Sequence, residues 1–166
     1  MTTRAEELAR QFSAANREFI ATVDAVSEDD WQNLCPAENW TVGVTAHHVA
    51  YGYPLLMDVM QALTNGESRP ITMEMIDDLN AEHARTFAGC TKAETLSCLR
   101  DDGAKAESAI RGLSDADLEA THDLPLLGSD PVTLEQFVRA LFIGHHALHL
   151  PSIRSASPSA SALHMR

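Results

Sequence analysis

Three histidines fall within five residues at Gly144-His145-His146-Ala147-Leu148-His149, and two more stand together at His47-His48. Five of the chain's 8 histidines are therefore in two places. Neutral imidazole is the commonest protein ligand for zinc and similar ions. Residues four apart on an α-helix lie one above the other, so His145 and His149 share a face. A third imidazole from a facing helix would complete a three-histidine centre with positions open to water or substrate. Peptidase chemistry is not expected. The metalloprotease pattern needs a glutamate after the first histidine, and here His146, Ala147 and Leu148 stand between the pair.

Helices must present these groups, and the apolar spacing supplies them. Ala5, Leu8, Phe12, Ala15, Phe19, Val23 and Val26 recur every three or four residues, the period of an amphipathic helix in an antiparallel bundle. Trp40 precedes Thr41, an N-cap for a second long helix on which Val44, His48, Tyr51, Leu55 and Val59 share a face. Pro54 should kink that helix, and Asn65-Gly66 should end it. Thr72 caps a third helix, with Ile76, Leu79, His83 and Phe87 on its inner stripe. Thr91-Lys92-Ala93-Glu94 and Thr133-Leu134-Glu135-Gln136 match the capping box and open two more. On the last helix Leu134, Val138, Leu141, His145 and Leu148/His149 face inward, and Pro151 should end or bend it.

These stripes choose among the histidines. His48 lies on the Val44-Tyr51 face, whereas His47 is rotated about 100° away. His145 lies on the Val138-Leu141 stripe, and His146 does not. The expected ligands are His48, His145 and His149. A buried imidazole without a partner costs about 1–3 kcal/mol, and one metal would satisfy all three together. Tyr51, one turn beyond His48, and His83 are candidate substrate-binding residues. No catalytic residue is apparent.

The composition fits one domain of 166 residues, 45% hydrophobic. The expected division is a helical bundle over residues 1–154 and a flexible Ser/Ala/Pro-rich tail over 155–166. No strand alternation persists, so the expected class is all-α. A net charge of -12 would repel phosphate, which argues against nucleic acid and anionic membranes. The polar N-terminus and the lack of long apolar runs point to a cytoplasmic protein. Cys35, Cys90 and Cys98 form no CxxC and imply no pairing.

At Trp40-Thr41-Val42 through His48-Val49, at Ile76-Asp77-Asp78-Leu79-Asn80, and at the His145–His149 spacing, the chain resembles the DinB-like superfamily. That superfamily includes mycothiol-dependent maleylpyruvate isomerases and bacillithiol transferases. The resemblance implies a four-helix bundle and a divalent metal, zinc or nickel, held by His48, His145 and His149. It also implies a low-molecular-weight thiol cosubstrate of the mycothiol or bacillithiol kind, activated as thiolate to attack an electrophile in S-transfer or isomerisation. The expected partners are thus a small thiol and its acceptor, with a homodimer as a further expectation. Two departures separate the chain from the isomerases. They carry glutamate where this chain has His145, and they have a second C-terminal domain for which this tail is too short. A non-catalytic bundle that binds a metal or small ligand is the alternative.

Overall fold

Thr3 begins the first helix by accepting a hydrogen bond from the Glu6 amide while the Glu6 carboxylate answers the Thr3 amide. This reciprocal pair satisfies two amides that a helix end leaves open. In the computed structural model, which describes residues 2–161, α1 runs Arg4–Ala25, α2 Val42–Thr64, α3 Met73–Thr86 and α4 Lys92–Arg111. A short α5 (Asp115–Glu119) leads to a two-residue antiparallel pair, β1 (Thr121–His122) with β2 (Val132–Thr133). The last long helix comes in three joined pieces: α6 (Leu134–Phe137), a π-helical turn (Val138–Ile143) and α7 (Gly144–Ala156). A final turn, α8, covers Pro158–Ser161. The expected caps at Thr41, Thr72, Thr91 and Thr133 each accept from the amide three residues on. The architecture is a four-helix bundle of α1, α2, α4 and the last long helix, with α3 resting on α2. No helix among the described residues is long and apolar enough to cross a membrane.

The core joins Leu8, Phe12 and Phe19 of α1 to Val49 and Tyr53 of α2, Leu99 and Ile110 of α4, and Phe137, Phe142 and Ile153 of the last helix. Two of the expected inner stripes are rolled by about one residue. On α2 the core takes Val42, Ala46, Val49, Tyr53, Met60 and Leu63. His48 lies at its edge, and Tyr51 and Leu55 are 40% and 41% exposed. On the last helix the cause is the π-turn, closed by the Gly144 amide donating to the Arg139 carbonyl five residues back. That turn takes up one extra residue, so Phe142, His146, His149 and Ile153 become the buried positions while Leu148 is 68% exposed.

Pro151 does not end α7, which continues to Ala156, and Pro54 lies inside α2; both rings lie on exposed faces and each costs its helix one amide bond. The tail from Ser155 does not begin as a loose segment. Asp30 accepts from the Ser157 hydroxyl at 3.0 Å, the Ser159 hydroxyl at 2.6 Å and the Ser159 amide at 3.2 Å, which holds residues 155–161 against the bundle. The rest of the expected tail, 162–166, lies outside the described residues.

Gly103 fixes how closely α1 approaches α4. A Cβ built there would lie 2.2 Å from Asn16 Nδ2, and the Asn16 amide donates to the Leu99 carbonyl at 3.0 Å. Gly103→Ala is expected to destabilise the protein by about 2–3 kcal/mol despite its better helix propensity. Denaturant unfolding would check this; an unchanged or raised stability would contradict it.

Candidate metal centre

Thr41 starts α2 so that His48 falls in its second turn, and the π-turn sets α7 so that His145 and His149 meet it. One ring nitrogen of each of these three residues lies within 4.8 Å of the others. The Nε2 atoms of His48 and His145 are 3.1 Å apart. Two nitrogens bound to one tetrahedral zinc at about 2.05 Å stand about 3.3 Å apart, so this spacing is close to that of two ligands on one ion. His149 points its Nδ1 at Glu38 Oε1, 2.7 Å away, which leaves its Nε2 free for the cluster. The donor set therefore fits a divalent transition metal. Gly52 lies beside it, and a Cβ there would stand in ordinary contact with the His145 ring at 3.7 Å.

His48 and His145 reach this arrangement from the edges of their helices, and His149 from the buried face of α7. His48 and His145 are half-buried, and His149 is 7% exposed. Burial pushes His48 down to about 3 and His145 well below the usual imidazole value, with neighbouring imidazoles adding to the effect. Both are held neutral, the form in which imidazole ligates a metal.

Glu38 is the site residue that sequence reasoning missed. It lies in the loop between the short 3-10 turn Asp30–Gln32 and α2, where Asn39 takes a left-handed conformation at φ 58. Asparagine tolerates that conformation better than most residues, and the turn it makes is closed by the Asn39 amide on the Cys35 carbonyl at 2.9 Å. The Glu38 carboxylate then accepts from His149 through one oxygen and from the Ser152 hydroxyl, at 2.5 Å, through the other. Such a carboxylate fixes the tautomer and plane of a ligating imidazole. A lone acid in a polar loop carries no spacing signal, and the available hint was its place just before the Trp40-Thr41 cap. Glu38→Ala is expected to weaken zinc affinity about 10–100-fold. Competition with a chromophoric chelator would measure it, and wild-type affinity would contradict the role.

The remaining candidates form a second tier. His83 of α3 and His47 of α2 share a hydrogen bond of 2.9 Å between His83 Nε2 and His47 Nδ1, and both are buried. Burial depresses the basicity of both, His83 to about 4. The His47 ring stacks on Phe87 at 4.3 Å between centroids. Tyr51 packs on His83 at 5.1 Å, and Trp40 lies edge-on to His48 at 5.3 Å. The structure thus sets Tyr51 and His83 in an aromatic wall beside His48, apart from the three converging nitrogens. His146, adjacent to a ligand candidate, points into the bundle at Tyr53.

Comparison with known proteins gives the family and the fold. The family model of the DinB superfamily matches residues 11–153. No curated protein matches the chain by sequence. Among solved structures the chain is similar to YfiT from Bacillus subtilis, described as a probable metal-dependent hydrolase with an unusual four-helix bundle topology. The similarity has a TM-score of 0.73 at 15% identity and covers 95% of this chain and 89% of that one. At that identity the likeness concerns the fold.

Proposed function

Since the chain belongs to the DinB superfamily, we propose that it is a metal-dependent enzyme that transfers a low-molecular-weight thiol to a small electrophile. Isomerisation through a reversible thiol adduct is a variant of the same chemistry. The observation that carries this reading is the convergence of His48, His145 and His149 on one point. A zinc or nickel ion there would supply Lewis acidity, lowering the pKa of a coordinated thiol and holding the anion in place. The neutral imidazoles leave that charge uncompensated for the incoming sulfur. Glu38 keeps His149 in register, and the mutually tilted rings of Trp40, Tyr51, His83 and Phe87 line the side of His48 where an acceptor would approach.

The chain's own thiols support an external nucleophile. Burial raises the Cys35, Cys90 and Cys98 thiols above the usual value, so none is a thiolate near neutral pH. All three are unpaired, in keeping with a reducing compartment such as the cytoplasm.

Hydrolysis is a second reading, favoured by the description of YfiT as a probable metal-dependent hydrolase. A water nucleophile needs a base to take its proton. Glu38 is the nearby carboxylate, and both its oxygens are engaged, so thiol transfer is preferred. The test incubates zinc- or nickel-loaded protein with mycothiol, bacillithiol, glutathione or cysteine and a chromogenic aryl halide, and separately with nitrophenyl esters. Thiol-dependent turnover lost in His48→Ala supports the transferase. Ester cleavage without thiol supports the hydrolase. Background rates with both substrate sets, on folded metal-loaded protein, favour a non-catalytic binding protein.

A further inference from the structure

His146 is 1% exposed in the middle of the bundle, between Phe12 and Phe19. Its Nε2 lies 2.5 Å from the Tyr53 hydroxyl, which lies 2.9 Å from Asn16 Oδ1, and Asn16 Nδ2 lies 3.0 Å from the Leu99 carbonyl. Tyr53 is 1% and Asn16 7% exposed. This chain of hydrogen bonds visits all four long helices: the last helix at His146, α2 at Tyr53, α1 at Asn16 and α4 at Leu99.

Its direction follows from its end. A backbone carbonyl only accepts, so Asn16 donates to Leu99 and turns its oxygen to Tyr53. The hydroxyl has one proton and gives it to Asn16. His146 must then donate from Nε2, leaving Nδ1 as an acceptor that meets no donor. Asn16 gives one N–H to Leu99, Tyr53 its only O–H to Asn16 and His146 one ring N–H to Tyr53, so the row closes only when the last helix brings His146 Nε2 to the Tyr53 hydroxyl. Gly103 makes room for it, since any side chain there would displace Asn16.

That placement of the last helix is what the metal centre needs. The π-turn separates the roll of α7 from that of α6, and Gly144 allows it by leaving the Arg139 carbonyl 3.2 Å from where a Cβ would stand. Downstream of that turn, an apolar residue in place of His146 would have no directional contact to fix the roll of α7. The hydrogen-bonded imidazole has one, and its neighbours His145 and His149 are carried to His48.

We propose that the buried row His146–Tyr53–Asn16–Leu99 carbonyl sets the roll of the π-turned last helix, making Tyr53 and His146 positioning residues for the three-histidine centre. The proposal rests on the metal reading above for its function, and its geometric half can be measured without metal.

The experiment compares wild type, Tyr53→Phe and a control, Ile110→Val, which removes a core methyl group far along α4. Zinc affinity is measured by competition titration, apo stability by thermal melting, and the His48–His145 contact by ring-proton Overhauser effects in metal-free protein. Tyr53→Phe is expected to raise the zinc dissociation constant about 10–100-fold and to weaken the His48–His145 contact, while Ile110→Val lowers the apo melting temperature and changes neither. A Tyr53→Phe protein with wild-type affinity and contact overturns the proposal. So does a loss of affinity in both variants in proportion to their lost stability, which is what a merely structural role would give. If wild type takes up no zinc, the metal reading fails, and the contact in Tyr53→Phe still decides the geometric claim either way.

Discussion

Replacing His149 with alanine is expected to abolish tight metal binding and to reduce metal-dependent turnover to background. The residue is one of three nitrogens converging on a point, and it is the one held by a carboxylate. Its loss removes a ligand and also leaves Glu38 nearly buried without its main partner. Removing an outer carboxylate costs about 10–100-fold in affinity, and loss of a ligand together with that carboxylate's purpose should exceed this. His145→Ala and His48→Ala should behave alike. His47→Ala is the control, because His47 bonds to His83 and its ring stacks on Phe87 away from the cluster. Chelator competition on all four variants checks the order. Equal losses at His47 and His149 would contradict the assignment.

Acid is expected to unfold the metal-free protein between pH 6.5 and about 4. His146 and His83 are pushed from 6.5 to about 4, and His48 to about 3, by burial. In that window the unfolded chain binds protons that the folded chain refuses, so folding stability is full above pH 6.5 and falls as the pH drops. At about 1.4 kcal/mol per pH unit, His146 alone accounts for roughly 3 kcal/mol. Total stabilities are about 5–15 kcal/mol, so two or three such residues suffice to melt the bundle. Bound zinc should move the acid midpoint lower, because metal and protons compete for the same nitrogens. Urea midpoints measured from pH 7 to pH 4, with and without zinc, test this. A midpoint that ignores pH over that range would show that these histidines are not buried neutral groups.

The helices and their starts were legible because caps are local. Thr41, Thr72, Thr91 and Thr133 announce themselves by residue type and by what stands three positions later. The triad His48, His145 and His149 was also legible, from one i,i+4 pair and one facing helix, but the reasoning that chose it used stripes that the structure rolls aside. His145 is at the cluster because a π-turn inserts one residue before it, and no periodic pattern shows that turn in advance. The same turn puts His146 in the core. Glu38 was hidden because its partner, His149, is 111 positions away, and such a contact leaves no mark on local spacing. The order of residues 155–161 was hidden likewise, since it depends on Asp30 receiving serines from the far end of the chain.

X-ray absorption at the metal edge of zinc-loaded protein tests the central claim most directly. One zinc per chain is expected, with three imidazole nitrogens at about 2.0–2.1 Å, and a spectrum that loses one imidazole in His48→Ala. Folded protein that takes up no zinc, or a zinc whose spectrum shows sulfur ligands or is unchanged in His48→Ala, would contradict it.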